Sequence, residues 1–278
     1  MATPPSSKPA DSGTMTLADI REEIDRIDAA MHALLIDRSA VVSDLIAIKK
    51  VQPPTDDDPA RRSSAFRPAR EASMMRAMIE RHTGLLPLDT VESIWRVIIS
   101  TFTYVQAPYE VAYADGLDAI AMRDVARFHF GFTVPLKAVA GPAEVLDAVG
   151  TRGNALGVIP LASEGAWWRA LEGDYAPNVI ARLPFVERPD HPAATPCLVV
   201  ANAPVDREVM AATMLSVTLG DGQTVPDTLD VLAQSGDFAL VSAPDQTALD
   251  ALAALEPVSA VAVGSHAPVF RTENPPAS

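Results

Sequence analysis

Six polar residues stand where the first hundred residues would otherwise present apolar helix faces: Arg21, Arg38, Lys49, Arg70, Glu71 and Gln106. Four are cations, one is an acid and one is an amide. Cations clamp carboxylates through charge-assisted hydrogen bonds. The acid and the amide add an acceptor and a neutral donor for uncharged oxygens. The set describes a pocket for a small dianion. Taken one at a time, each residue reads equally well as a surface ion pair or a helix-end charge; taken together, the pocket is the stronger account.

Other chemistries lack their residues. Cys197, the single cysteine, sits in the apolar run Cys197-Leu198-Val199-Val200 and reads as core packing. The five histidines, His32, His82, His129, His191 and His266, lack the short spacing of metal ligands, so a metal site is not expected.

The elements that must position the six are helices. Apolar residues recur at Leu17, Ile20, Ile24, Ile27, Met31, Leu34, Leu35, Val42, Leu45 and Ile48 with no Pro or Gly between them. Thr16 and Asp19 offer a cap at the start. This predicts one helix of about 35 residues, too long to be a compact globule alone, and therefore an antiparallel bundle or an intertwined dimer. A second helix is expected from about Pro68 to His82, and a third from about Leu88 to Gln106 with a stripe of Ile94, Trp95, Ile98, Phe102 and Val105.

On the first helix, Arg38 and Lys49 fall about 20° apart around the axis and about 16 Å apart along it, so their side chains can converge on one ligand. Arg21 lies about 100° away from Arg38, and in an intertwined dimer it reaches the partner's site instead.

Charge separates the chain into two parts. Of 278 residues, 22 are Lys or Arg and 36 are Asp or Glu, for a net charge of −14. Residues 1–108 hold 13 basic against 15 acidic side chains, and residues 109–278 hold 9 against 21. Nucleic acid is a poor partner for so acidic a surface, whereas a near-neutral first part can still focus positive potential in one pocket. No run of about 18 apolar residues is present to span a bilayer, and residues 1–15 read as a disordered tail without a signal sequence. A cytoplasmic location is expected by default.

The segments LADIREEIDRIDAAMHALLIDRSAVVSDLIAIKK, PAREASMMRAMI and VESIWRVIISTFTYVQ resemble the all-helical chorismate mutase family, including the mutase half of bifunctional chorismate mutase–prephenate dehydratases. The resemblance implies a three-helix, intertwined-dimer mutase domain over 16–107. Its reaction is the Claisen rearrangement of chorismate to prephenate, which needs no cofactor, in phenylalanine and tyrosine biosynthesis. It also implies roles. Arg38, Arg70 and the partner's Arg21 clamp the substrate carboxylates, or in Arg70's case support that clamp, Lys49 and Gln106 donate to the ether oxygen, and Glu71 accepts from the ring hydroxyl. Arg67 stands where some relatives carry an acid, and Phe102 where they carry a small hydroxyl residue.

Beyond Ala107-Pro108 the texture becomes α/β: strands at 111–113, 136–139 and 155–160, helices at 117–130 and 142–149. Gly141–Leu161 with Ser163-Glu164-Gly165 resembles part of the prephenate dehydratases, and Val261–Val269 resembles the end of their regulatory ACT domain. The expected division is a dehydratase-like remnant at 109–190 and an ACT-like segment at 191–270. Only about 25 residues separate Gly165 from His191, too few for a second dehydratase lobe. The leading function is therefore chorismate mutase. The alternatives are a bifunctional mutase–dehydratase, or an inactive mutase-like dimerisation module bearing a regulatory α/β domain.

Overall fold

A computed structural model describes residues 16–51, 66–151, 154–202 and 212–272, apart from the side chains of 49–51. The expected tail at 1–15 and most of the polar connection after the first helix lie outside the described residues. The chain forms two compact units, Met1–Pro53 and Pro54–Ser278.

The first unit is one helix, α1 (Leu17–Val51). Thr16 and Asp19 close its N-terminus reciprocally: the Thr16 backbone N–H donates to Asp19 Oδ2 at 2.9 Å, and the Asp19 N–H donates to Thr16 Oγ1 at 3.2 Å. Its apolar stripe is largely uncovered in the single chain, with Ile24 51%, Met31 55% and Ile48 56% exposed.

The second unit opens with α2 (Pro68–Arg81) and α3 (Leu88–Gln106), at nearly the expected boundaries. There follow β1 (Glu110–Ala114), α4 (Ala119–Phe130), β2 (Leu136–Val139), α5 (Pro142–Thr151) and β3 (Ala155–Pro160). Asp118 sets the start of α4 by accepting from the N–H groups of Ile120 and Ala121 at 3.1 and 3.0 Å, which leaves Leu117 outside the helix. A 3-10 turn (Trp167–Leu171) leads to β4 (Asn178–Leu183), β5 (Val186–Glu187) and β6 (Cys197–Ala201). The last stretch holds β7 (Ala212–Thr218), β8 (Asp230–Ser235), β9 (Phe238–Ala243), α6 (Gln246–Ala254), β10 (Ser259–His266) and β11 (Phe270–Arg271).

Nine strands make one mixed sheet in the order β2-β1-β3-β6-β4-β10-β7-β9-β8. Strand period sorts the core. Val111, Tyr113, Leu156, Val158, Cys197 and Val199 face one side, where Met75, Met78, Val91 and Ile99 of α2 and α3 and Met122, Val125 and Phe130 of α4 cover them. Ile159, Leu198 and Val200 face the other side, against Val145, Leu146 and Val149 of α5 and against Trp168. With both faces covered, β3 is buried along its whole length, which explains its unbroken apolar run.

The divisions expected after 107 and at 190/191 do not mark separate cores. α2 and α3 bury their inner faces on the same sheet as α4. β6, from the segment expected to be ACT-like, pairs with both β3 and β4 from the segment before it. The short stretch after Gly165 supplies β4, which pairs with β6 on one side and meets β10 at Gly264↔Val179 on the other. That close approach explains Gly264: a Cβ there would lie 2.1 Å from the Val179 carbonyl oxygen, and its φ is +145°.

Candidate active site

The six residues divide three and three between the units. Arg21, Arg38 and Lys49 belong to α1; Arg70, Glu71 and Gln106 belong to α2 and α3. Within α1, Arg21 is exposed and Arg38 is half-buried. Lys49 lies in the last turn of the helix, and its side chain falls outside the described residues.

In the second unit, Arg70 is exposed at the start of α2 and Glu71, next in sequence, is buried. Consecutive helix residues point about 100° apart, so one faces solvent and the other the core. Glu71 shares its inner face with Met75 and Met78, as the spacing predicts. Gln106 is half-buried in the last turn of α3, where its Nε2 donates to the Phe102 carbonyl at 3.1 Å. Phe102 is half-buried and Arg67 is exposed.

Glu71 does not stand alone. Arg96 Nη1 donates to Glu71 Oε2 at 2.7 Å, with both side chains almost fully buried. Burial pushes the Glu71 carboxyl above the ordinary carboxylate range, while the Arg96 charge and hydrogen bond and the Arg67 backbone N–H pull it back. The other end of the Arg96 fork reaches α4: Nη2 and Nε donate to the His129 carbonyl at 2.8 and 3.2 Å. The guanidinium lies 4.9 Å from the Phe185 ring centroid.

One turn earlier on α3, Glu92 accepts from Arg188 Nη1 at 2.6 Å, and His191 Nε2 stands 3.3 Å from the same oxygen. The Ala193 N–H donates to His191 Nδ1 at 2.9 Å, so the ring proton of a neutral His191 sits on Nε2, toward Glu92. His129 and His191 stack at 6.4 Å between centroids. Burial, with Arg96 and His191 nearby, holds the His129 imidazole well below its ordinary value, and neither of its ring nitrogens has a hydrogen-bond partner among the described residues. His129 is therefore a neutral core residue at neutral pH.

The inward face of α3 is not the stripe its apolar spacing predicts. Its buried residues are Leu88, Val91, Glu92, Arg96, Ile99, Ser100 and Thr103. The expected stripe runs along another face, with Ile94 43% and Val105 55% exposed. Periodicity favours the more apolar side, but α3 turns its ionisable side inward because Glu71, Arg188 and the His129 carbonyl neutralise it there. The i, i+4 spacing of Glu92 and Arg96, which puts both on one face with Ile99 and Thr103, is the sequence signal for that face.

An apolar cavity of about 230 Å³, lined by Met74, Met75, Ala77, Met78, Arg81 and Trp95, lies between α2 and α3. It contains none of the six residues and offers one cation only. Among the described residues, no group of three or more His, Cys, Asp or Glu side chains is placed to hold a metal ion.

Comparison with known proteins bears on the helical part most directly. Residues 20–107 match the family described as chorismate mutase type II. Over 152 residues the chain is 28% identical to a bifunctional chorismate mutase/prephenate dehydratase of Stutzerimonas stutzeri, covering 54% of this chain and 40% of that protein. It is 27% identical, with the same coverage, to a protein of the same description from Pseudomonas aeruginosa (strain ATCC 15692 / PAO1). The chain thus spans about 40% of the length of the curated relatives it matches. A prephenate dehydratase structure from Streptococcus mutans aligns over 59% of this chain and 99% of its own, at a TM-score of 0.37 and 15% identity. On the family match, the segment 20–107, which holds all six polar positions, is a chorismate mutase type II domain.

Proposed function

We propose that this protein is a chorismate mutase, converting chorismate to prephenate in phenylalanine and tyrosine biosynthesis as a cytoplasmic homodimer with shared sites. The observation that carries the reading is the family match over 20–107 with the six polar residues inside it. In the concerted rearrangement the ether C–O bond breaks as a C–C bond forms, and negative charge grows on the ether oxygen. Catalysis then consists of holding the compact conformer and stabilising that charge.

Arg38, Arg70 and the partner's Arg21 are assigned to the carboxylates, and Lys49 and Gln106 to the ether oxygen. A primary amide carries two N–H groups, so Gln106 can keep its bond to the Phe102 carbonyl and still offer a donor. Glu71 is assigned to the ring hydroxyl. Enzymatic rate enhancements begin near 10⁶-fold, about 8 kcal/mol, within reach of a few preorganised cationic donors.

Two observations support the homodimer. The apolar stripe of α1 is exposed along most of the helix, Val42 apart, and so are Ile94, Val97 and Val105 on α3. Apolar surface of that extent calls for a partner, and a second copy of the chain supplies it. No helix among the described residues is long and apolar enough to cross a membrane.

The reading leaves prephenate as the product, because the stretch after Gly165 forms β4 of the shared sheet rather than a second lobe. The test is to mix purified protein with chorismate at neutral pH and follow its ultraviolet absorbance, with an enzyme-free control. Stoichiometric prephenate, insensitive to chelators, is expected. No turnover at micromolar enzyme would refute the mutase assignment, and enzyme-dependent phenylpyruvate would establish the bifunctional alternative.

A further inference from the structure

The second unit gives Glu71 a partner that none of the six positions accounts for. We propose that Arg96 is a positioning residue of the mutase site: anchored on the α/β region through the His129 carbonyl, it fixes and charges the Glu71 carboxylate that receives the substrate's ring hydroxyl. The inference rests on the mutase reading and extends it, because it makes the α/β region part of the site's scaffold.

The geometry is that of a three-point mount. Two nitrogens of the guanidinium are spent on one carbonyl at the end of α4, a third on Glu71 Oε2, and the plane lies near Phe185. A planar fork held at both ends has no rotamer freedom left, so the carboxylate it grips is equally fixed. A carboxylate has about four lone-pair sites, so the bonds from Arg96 and the Arg67 N–H leave acceptor capacity for a hydroxyl donor.

The grip also sets charge. The groups facing Glu71 are Arg96 from α3, Tyr109 from the connection to β1, and the backbone N–H of Arg67. Arg96 in turn faces His129, whose ring stacks on His191. Of these, Arg96 is the cation that opposes the burial of Glu71, and a protonated Glu71 would lose part of its acceptor capacity. A purely structural pair would not need to be ionic: well-packed apolar residues replace buried ion pairs at little cost in stability.

The test uses the full chain with Arg96→Met, and with Arg96→Gln as a second variant that keeps an N–H donor without charge. kcat and KM for chorismate are measured from pH 5 to 9 on protein whose fold is checked by circular dichroism. Loss of Arg96 raises the proton affinity of Glu71. The acid limb of kcat/KM should therefore move up by at least about one pH unit, with KM rising roughly tenfold. Adding Glu71→Gln to either variant should abolish the displaced limb. A folded Arg96 variant whose acid limb coincides with the wild type overturns the inference while leaving the mutase reading intact. A wild-type chain that leaves chorismate untouched sinks the mutase reading itself, and the positioning role with it.

Discussion

At the scale of residues, the least expected feature is how much ionisable chemistry lies in the core beneath α2 and α3. Glu71, Glu92, Arg96, His129 and His191 are all buried. The candidate substrate ligands on α1, α2 and α3 are named from the sequence through the family resemblance and the helix positions that carry it. The buried network was not legible in the same way, because its contacts join α2, α3, α4 and the segment after β5 across 25 to 96 residues of sequence. His129 gives a direct test. Its folded proton affinity is depressed, so below the unfolded value near 6.5 the unfolded chain binds a proton that the folded chain does not. Its contribution to stability is complete above that value and is lost as pH falls. His129→Leu keeps the backbone carbonyl that Arg96 uses. In urea unfolding below about pH 6.5, the variant should lose up to about 1.4 kcal/mol per pH unit of the wild-type slope. Buried His266, also depressed, should keep a share of the slope in both proteins. Parallel pH profiles for the two proteins would show that His129 takes up no proton on unfolding.

At the scale of elements, local sequence predicted helices and early strands well. α2, α3, β2 and β3 begin and end where Pro68, Pro87, Gly84 and the apolar runs place them. It did not show β4 as the strand that links β6 to β10, because a strand's neighbours are set by pairing and not by its own composition. The junction depends on Gly264, whose missing side chain lets β10 reach Val179. Gly264→Ala introduces both a backbone clash and an unfavourable φ, and should destabilise the second unit by ~3 kcal/mol or more. Chemical denaturation of the purified variant measures this directly; a change below about 1 kcal/mol would mean that β10 shifts away from β4 without penalty.

At the scale of the whole molecule, the proposed site draws Arg21 from one chain and Lys49 from its partner. The argument is angular, since Arg21 lies about 100° around the helix from the line shared by Arg38 and Lys49. Arg21→Ala and Lys49→Ala chains should each be inactive alone. Subunit exchange between them creates heterodimers with one intact site, so a statistical mixture should recover roughly a quarter of wild-type activity. Verified heterodimers that stayed inactive would rule out a site shared in this way.

Periodicity and capping alone determined α1, α2 and α3, because a helix's hydrogen bonds are local and its ends are written in Thr16, Asp19, Pro68 and Pro87. The six polar positions are named from the sequence as well, but on helices that carry many other charges their roles are what the family resemblance implies. Tertiary structure alone decided which face of α3 turns inward. Sequence spacing favoured the side of Ile94 and Val105, but Glu92 and Arg96 go inside because Arg188, Glu71 and the His129 carbonyl meet them there. It also decided that the α/β region shares its core with α2 and α3 rather than standing apart. Both outcomes depend on contacts between segments far apart in the chain, and such contacts leave no period in the sequence of either partner.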